Sequence, residues 1–444
     1  MGIKIGLVSL GCPKNLVDSE IMLGLLKKAG YEITAREEEA DVLIVNTCSF
    51  INDAKEESIR TIIELARNKI NGRCRAILVA GCLAQRYPAE LMAEMPEIDG
   101  LVGTGQVPEI ARAVRRVLEG GKVLLTGSPG YLHDAYFPKV LATPPYTAYL
   151  KIAEGCDNRC SYCVIPAVRG PFRSRRMEDI MSEAEELANK GVKELIIVAQ
   201  DTTRYGIDLY GKPMLDALLE GLTGIKGPVW LRLLYTYPSL ITDDLIYLMA
   251  KSRKICRYLD IPFQHASNRV LQLMNRRGSK EEAARLVAKL RADIPGIVLR
   301  TTFIVGFPGE TEEDFQELLD FMAEAKFDRA GVFTYSREEG TAAAEMPGQV
   351  PEEVKLLRRE RAMMLQQEIS LQKNLKRVGK VIEVLVEGKS LKGKGMYIGR
   401  SEGDAPGIDG KVFFKSGFNL QPGDFARVLI KGGTEYDLTG ETVL

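Results

Sequence analysis

Over the first 140 residues, continuous apolar runs alternate with segments of helical period. The runs "IKIGLVSL", "ADVLIVNTC" and "AILVAGC" read as strands. Between and after them, "SEIMLGLLKKAG" (stopped by Gly30), "DAKEESIRTIIELARNK" (capped by Asp53) and "VPEIARAVRRVLEGG" read as helices. Such alternation predicts a parallel sheet covered on both faces. Residues 128–147, "SPGYLHDAYFPKVLATPPYT", carry Pro, Gly and aromatics without a period and read as a linker. From about 146 to 340 there are six strand candidates: "YTAYLKIAE", "ELIIVAQD", "VWLRLLYT", "RYLDIPF", "VLRTTFIVGF" and "RAGVFTYS". Helical stretches at 176–190, 213–222, 242–252, 267–275, 281–292 and 311–325 separate or follow them. Repeated strand–helix units predict a full or partial parallel barrel, with its chemistry at the carboxyl ends of the strands. A long helix runs from Pro351 towards Gly379, and then the period changes to two in "KVIEVLVE", "GMYIGRS", "GKVFFKS" and "DFARVLIKG". That pattern predicts a small antiparallel β-barrel. The fold class is therefore α/β, in three expected domains: 1–140, 141–378 and 379–444.

Composition narrows the classes. A chain of 444 residues with 45% hydrophobic content is too long for one core. Lys+Arg and Asp+Glu number 60 each, so no global charge argues for nucleic acid or membrane. No apolar run approaches the roughly 18 residues of a spanning helix. A cytoplasmic location is expected, and with it eight cysteines that serve as metal ligands, catalytic thiols or buried small hydrophobes rather than disulfides. Two histidines, His133 and His265, leave little for zinc schemes that need paired His or for His-based acid–base chemistry.

The chemistry concentrates in residues 154–163, "EGCDNRCSYC", where Cys156 directly follows the first barrel strand and Cys160 and Cys163 share its loop. Three thiolates on one loop suit a four-iron four-sulfur cluster, held by Cys, with one iron left open as a substrate position. A zinc knuckle is the alternative, but zinc prefers paired C-x2-C units or nearby His, and neither stands at fitting spacing. Cys-x3-Cys-x-aromatic-Cys after the first strand of a parallel barrel resembles the radical S-adenosylmethionine (SAM) superfamily. That resemblance implies SAM bound at the open iron, cleavage to a 5′-deoxyadenosyl radical, and Tyr162 against the adenine. Where that superfamily often carries Gly-Gly-Glu, this chain reads "VAQDTTRYG", which makes Gln200 and Asp201 candidate cofactor ligands. "PFQHASNRV" adds Gln264 and His265. "FIVGFPGET" adds Gly306 and Gly309, which allow close backbone approach, and Glu310, which alternatively is first-turn helix charge.

Cys12 after "IGLVSLG", Cys48 after "VLIVNT" and Cys82 after "AILVAG" each follow a strand of the N-terminal sheet, so one sheet edge gathers all three. A buried cysteine is common, but three in register suggest a second cluster with one open iron. Cys74 and Cys256 lack this placement and read as structural. Together with the terminal barrel, which resembles the TRAM module, the chain looks like a methylthiotransferase. The resemblance implies an auxiliary cluster on Cys12, Cys48 and Cys82 that holds sulfur, and one SAM each for the methyl group and the radical. It also implies an external electron donor such as flavodoxin or ferredoxin, and a sulfur source.

"SLGCPKNLVDSE", "NTCSFINDAKEESI" and "AQDTTRYG" resemble the branch that modifies an aspartate β-carbon of ribosomal protein S twelve (uS12). The tRNA-modifying branches, acting on an adenosine near the anticodon, are the alternative. From Lys380 onward nine basic residues face nine acidic ones, a balance that suits a protein partner better than RNA phosphates. The locally basic "KSLKGKG" keeps the RNA reading open. A third expectation, a non-catalytic iron–sulfur carrier, is disfavoured by six strand-end loops around one cluster.

Overall fold

The computed structural model describes residues 2–391, 393 and 395–443. Lys392 and Lys394, part of the basic "KSLKGKG" stretch, lie outside the described residues. The N-terminal sheet comprises β1 (Lys4–Ser9), β2 (Glu32–Ile33), β3 (Val42–Thr47), β4 (Ala76–Gly81), β5 (Gly100–Val102) and β6 (Val123–Leu125). Its order is β2-β1-β3-β4-β5-β6, and every pair is parallel. β3 and β4 are buried along their whole length, as their unbroken apolar runs predict.

The central domain starts with β7 (Thr147–Lys151), followed by the short β8 (Ala153–Glu154) and β9 (Arg173–Ser174). It continues with β10 (Glu194–Val198), β11 (Trp230–Leu233), β12 (Ile255–Asp260), β13 (Val298–Val305) and β14 (Arg329–Thr334). Six of these form an open parallel sheet in the order β14-β13-β12-β11-β10-β7, a partial barrel. The expected single strand "YTAYLKIAE" is split, because β8 leaves the sheet to pair antiparallel with β9. That ribbon brackets the three-cysteine loop at both of its ends.

The C-terminal barrel is closed, with β15 (Val381–Lys389), β16 (Met396–Ser401), β17 (Val412–Lys415), β18 (Phe425–Gly433) and β19 (Leu438–Thr442) in the order β15-β16-β17-β19-β18. Here the antiparallel expectation needs one correction: β17 and β19 pair parallel. A closed ring with an odd number of strands cannot alternate direction throughout, so one parallel pair is unavoidable.

A second correction concerns Asp53. The helix Asn52–Ala66 takes Ile51 as its N-cap, and Asp53 lies in the first turn without a capping hydrogen bond. The N–H of Asn52 instead donates to Ser336 Oγ of the central domain (3.2 Å). Tertiary contact has replaced the local cap.

The domains share a core. One continuous buried cluster joins Val17 and Ile21 of helix α1 (Pro13–Lys28) to Tyr149, Ile196 and Tyr258 of the partial barrel and Ala405 of the C-terminal domain. The segment 128–147 has no regular structure before β7, yet it is packed in place. The N–H groups of Val140 and Ala142 donate to the carbonyl (3.0 Å) and side chain (2.9 Å) of Glu20 on α1. Arg232 and Arg400 meet Glu194 at the amino end of β10, docking the C-terminal barrel there. The opposite, carboxyl end of the partial barrel faces the N-terminal sheet.

Candidate active site

The carboxyl ends of β1, β3 and β4 are adjacent, and each is followed at once by a cysteine. Cys12 is the N-cap residue of α1, Cys48 follows β3, and Cys82 opens the helix Cys82–Arg86. Gly11, at φ +83°, lets the chain pass over Cys48: a Cβ there would sit 3.1 Å from its Sγ and 2.8 Å from its Cβ. The thiols of Cys12, Cys48 and Cys82 lie close enough to feel one another's charge.

The second triad sits on the loop after β8. The N–H of Cys156 donates to the carbonyl of Gly170 (3.1 Å), and that of Cys163 to Cys160 (3.0 Å). Ser161 donates through its N–H to Met274 (3.0 Å) and through its hydroxyl to Leu273 (2.8 Å), tying the loop to the end of the helix Asn268–Leu273. Arg276 reaches in from the same corner, with Nη1 3.6 Å from Cys160 Sγ and 3.4 Å from the Tyr162 hydroxyl.

The short helix Ile165–Arg169 begins two residues after Cys163. Val164 and Val168 pack directly on Cys82. Arg169, buried at 2% exposure, donates to Asp18 (2.9 Å), Glu154 (3.0 Å) and Asn15 (3.0 Å). Lys151 bridges Asp18 and Glu154 as well. This buried network, whose charges are paired as burial demands, fixes α1 against the loop of the second triad. Arg169 also acts electrostatically on all three N-terminal thiols.

Burial pushes the thiols of Cys82 and Cys163 up to about 12 and that of Cys156 to about 11, and raises Cys48. Burial acts on Cys12 in the same sense, but the neighbouring Lys14 and Arg169 outweigh it and hold that thiol below its ordinary value. Loading metal into either triad therefore expels protons. Among the described residues, no three His, Cys, Asp or Glu side chains are placed to hold a single metal ion. Three soft thiols on one loop or one sheet edge are the donor set of an iron–sulfur cluster, which gives each thiolate its own iron.

The other sequence-selected residues divide. Tyr162 lines a cavity of about 210 Å³ with Gln264, Ile304 and Tyr335, and meets Phe307 edge-on at 6.5 Å. The loop residues Phe50 and Ile51 of the N-terminal domain line the same cavity. They are held over the barrel by Lys55 and Arg86, both paired to Glu338 (2.9 and 2.7 Å). Gln264 adopts φ +73°, and its buried Oε1 has no hydrogen-bond partner among the described residues; Gln200 Oε1 is in the same condition. Asp201 is engaged instead, accepting from Asn158 Nδ2 (2.9 Å) and Thr203 Oγ1 (2.6 Å), and so braces the cysteine loop.

Gly306, at φ +71°, makes its close approach to the stem of Lys355, 2.2 Å from where a Cβ would stand. Glu310 turns back to the N–H of Phe307 (2.9 Å) and pairs with Arg358 (3.1 Å). His265 Nδ1 accepts from the N–H of Ser267, and burial holds the ring neutral, down to about 3. Cys74 and Cys256 are buried away from both triads. Arg169, Asn158 and Arg276 carry much of the site and escape sequence reasoning; for Arg169 the available signal was a basic residue within two helical turns of a thiol loop.

Family comparisons agree with this geometry. Residues 4–103 match the uncharacterized protein family UPF0004, residues 150–322 the radical SAM superfamily, and residues 378–443 the TRAM domain. A ribosomal protein uS12 methylthiotransferase RimO of Pelotomaculum thermopropionicum is 99% identical over 444 residues, 100% of both chains. Proteins of the same name from Desulforamulus reducens and Clostridioides difficile are 58% and 50% identical, each over 99% of both chains. Among solved structures, the radical SAM methyltransferase TsrM of Kitasatospora setae superposes with a TM-score of 0.56 at 17% identity, over 75% of this chain and 73% of its own. The cobalamin-dependent SAM radical enzyme OxsB gives 0.51 at 12% identity, over 82% of this chain and 56% of its own; likenesses this remote speak for the fold alone. No helix among the described residues is long and apolar enough to cross a membrane. The superfamily implies SAM and iron–sulfur chemistry, and with relatives this similar along their full length, the chain belongs to the ribosomal protein uS12 methylthiotransferase family of radical SAM enzymes.

Proposed function

We propose that this enzyme inserts a methylthio group at the β-carbon of an aspartate of ribosomal protein uS12. The observation that carries the reading is the pair of half-buried three-thiol sets, Cys82 of one packed on Val164 and Val168 just after Cys163 of the other. Cys156, Cys160 and Cys163 hold one four-iron four-sulfur cluster, and Cys12, Cys48 and Cys82 a second. Bound there, the clusters and SAM supply the radical, the sulfur and the methyl group. Residues 1–140 carry the auxiliary site, 141–378 the radical site, and 379–444 the TRAM barrel.

The protein's own residues bind, orient and exclude water. Asn158, Asp201 and Ser161 fix the cysteine loop. The unsatisfied Gln200 and Gln264 oxygens are acceptors for the amino group of SAM, since a buried carbonyl without a donor is costly. Tyr162 and Phe307 offer an apolar wall for the adenine, and the Phe50–Ile51 loop covers the cavity. A protein substrate agrees with the relatives' names and with the charge balance of the TRAM barrel; tRNA has neither in its favour. The enzyme works in the cytoplasm, drawing electrons from a flavodoxin or ferredoxin and sulfur from an external source.

The test is the mass of uS12 from a strain lacking this protein, which should fall by one methylthio increment. An unchanged mass sinks the reading. Anaerobic reconstitution should give about eight irons per chain, and about four when either triad is replaced by alanine.

A further inference from the structure

Lys14 is a buried lysine that no carboxylate contacts: the charges of Cys12, Glu154 and Asp260 act on it only from a distance. It is 6% exposed, and its ammonium makes no hydrogen bond or ion pair among the described residues. Other buried cations near the site are all engaged. Lys151 is paired with Asp18 and Glu154, Arg169 with the same two carboxylates, and Arg276 donates to the carbonyl of Pro262 at 2.7 Å. Lys14 also occupies the first turn of α1, where the helix dipole repels a cation. A buried lysine in contact with no carboxylate is costly in that place and is not what packing alone would select.

What Lys14 touches is the mouth of the barrel. Its Nζ lies 3.4 Å from the centroid of the Tyr235 ring. Tyr235 stands just beyond the carboxyl end of β11 at φ +59°, a strained conformation for a bulky residue. The strain is held from both sides: its N–H donates to Asp260 Oδ2 (3.2 Å), and its carbonyl accepts from the N–H (2.9 Å) and hydroxyl (3.0 Å) of Thr202. The barrel thus turns an aromatic face towards a cation from the other domain. A ring face attracts the ammonium without neutralising it. The ammonium's remaining donors are available to an anion that arrives between the domains, two residues from Cys12.

We propose that Lys14 binds the side-chain carboxylate of the substrate aspartate and so positions its β-carbon between the two thiol triads. This rests on the reading of uS12 as substrate. The carboxylate is one bond from the carbon that reacts, so gripping it orients the hydrogen to be removed. A carboxylate could also come from the methionine end of SAM, and the experiment separates the two.

Binding is measured on the anaerobically reconstituted enzyme with uS12, with uS12 carrying asparagine at the modified aspartate, and with SAM alone. Lys14→Gln is expected to bind uS12 roughly 10- to 100-fold more weakly and to lose the preference for aspartate over asparagine. Lys14→Arg should restore part of that preference. A Lys14→Gln enzyme that still prefers aspartate by the wild-type margin overturns the assignment. So does an equal loss of affinity for SAM, which gives the ammonium to the methionine carboxylate, or a loss of iron, which gives it to the auxiliary cluster. A wild-type enzyme that leaves the mass of uS12 unchanged instead sinks the underlying reading. If wild type modifies uS12 and Lys14→Gln keeps its preference, only the role of Lys14 is lost.

Discussion

Asp201 shows how a residue at a site's edge can work through another. Its carboxylate accepts from Asn158, inside the loop between Cys156 and Cys160, and from Thr203. Removing it strands two donors, each costing about 1–3 kcal/mol where buried, and unties the loop from the end of β10. Asp201→Ala is therefore expected to retain less iron in the Cys156, Cys160 and Cys163 triad after desalting, whereas Asp201→Asn, which still offers an oxygen, retains most of it. Iron counted per chain decides; equal retention by alanine and wild type would show that the brace is idle. The placement of the six cysteines was legible in the sequence because Cys12, Cys48, Cys82 and Cys156 each come at the end of an apolar run, where a parallel strand ends, and Cys160 and Cys163 share the loop that Cys156 opens. The work of Asp201 was not legible, nor that of Lys14 and Arg169. An acid at a strand end reads as a ligand until the residue opposite is known, and Asn158, Tyr235 and Asp18 come from distant parts of the chain.

Helix α1 carries Cys12, Lys14, Asn15 and Asp18 on its first turns, so its seating sets the distance between the triads. Gly24, in its interior, lies against the segment 128–147: a Cβ there would stand 2.0 Å from the Pro138 carbonyl oxygen. In an exposed helix, Gly→Ala gains about 1 kcal/mol of propensity. Here the sign reverses, because the neighbour is backbone that is itself hydrogen-bonded to Glu20 two residues further on. Gly24→Ala is expected to destabilise by roughly 1–3 kcal/mol, with faster hydrogen exchange in α1 and in residues 131–142. Slower exchange with a raised melting temperature would mean that the segment gives way freely. Long elements such as α1, β3 and β13 were readable from period alone. β2, β5 and β6, at two or three residues, are too short to show a period, and β19 was hidden among Gly and Thr. The segment 128–147 is aperiodic and did read as a linker; its packing on α1 depends on the absent side chain of Gly24, which no periodicity reveals.

The C-terminal barrel is joined to the catalytic body by charge. Glu194, fully buried at the start of β10, receives Arg232 at 2.8 Å and Arg400 of β16 at 2.6 Å. Burial alone would raise its carboxyl, but the two guanidinium groups outweigh burial and hold it at about 2, against an ordinary 4.5. A carboxyl depressed in the folded state contributes stability that is fully present above its ordinary value and is lost as pH falls from 4.5 towards 2. The displacement corresponds to roughly 3 kcal/mol at neutral pH. Glu194→Gln leaves the buried Arg232 without a carboxylate and Arg400 with Glu387 alone (2.6 Å), a loss on the order of 3–5 kcal/mol. That loss should fall on docking, since Arg400 belongs to one domain and Arg232 to the other. The chain has a built-in reporter: its single tryptophan, Trp230, packs edge-on against Phe425 of β18 at 5.0 Å. In metal-free protein, Trp230 emission should shift to the red in Glu194→Gln at pH 7 and should shift in wild type only as pH drops below 4.5. The N-terminal sheet, followed by hydrogen exchange, should be unchanged in the variant at pH 7. If Trp230 stays shielded in Glu194→Gln, the apolar contact of Trp230, Ala405 and Phe425, with the Arg329–Asp404 pair (3.0 Å), holds the domains together without Glu194, whose two pairs then set orientation rather than attachment.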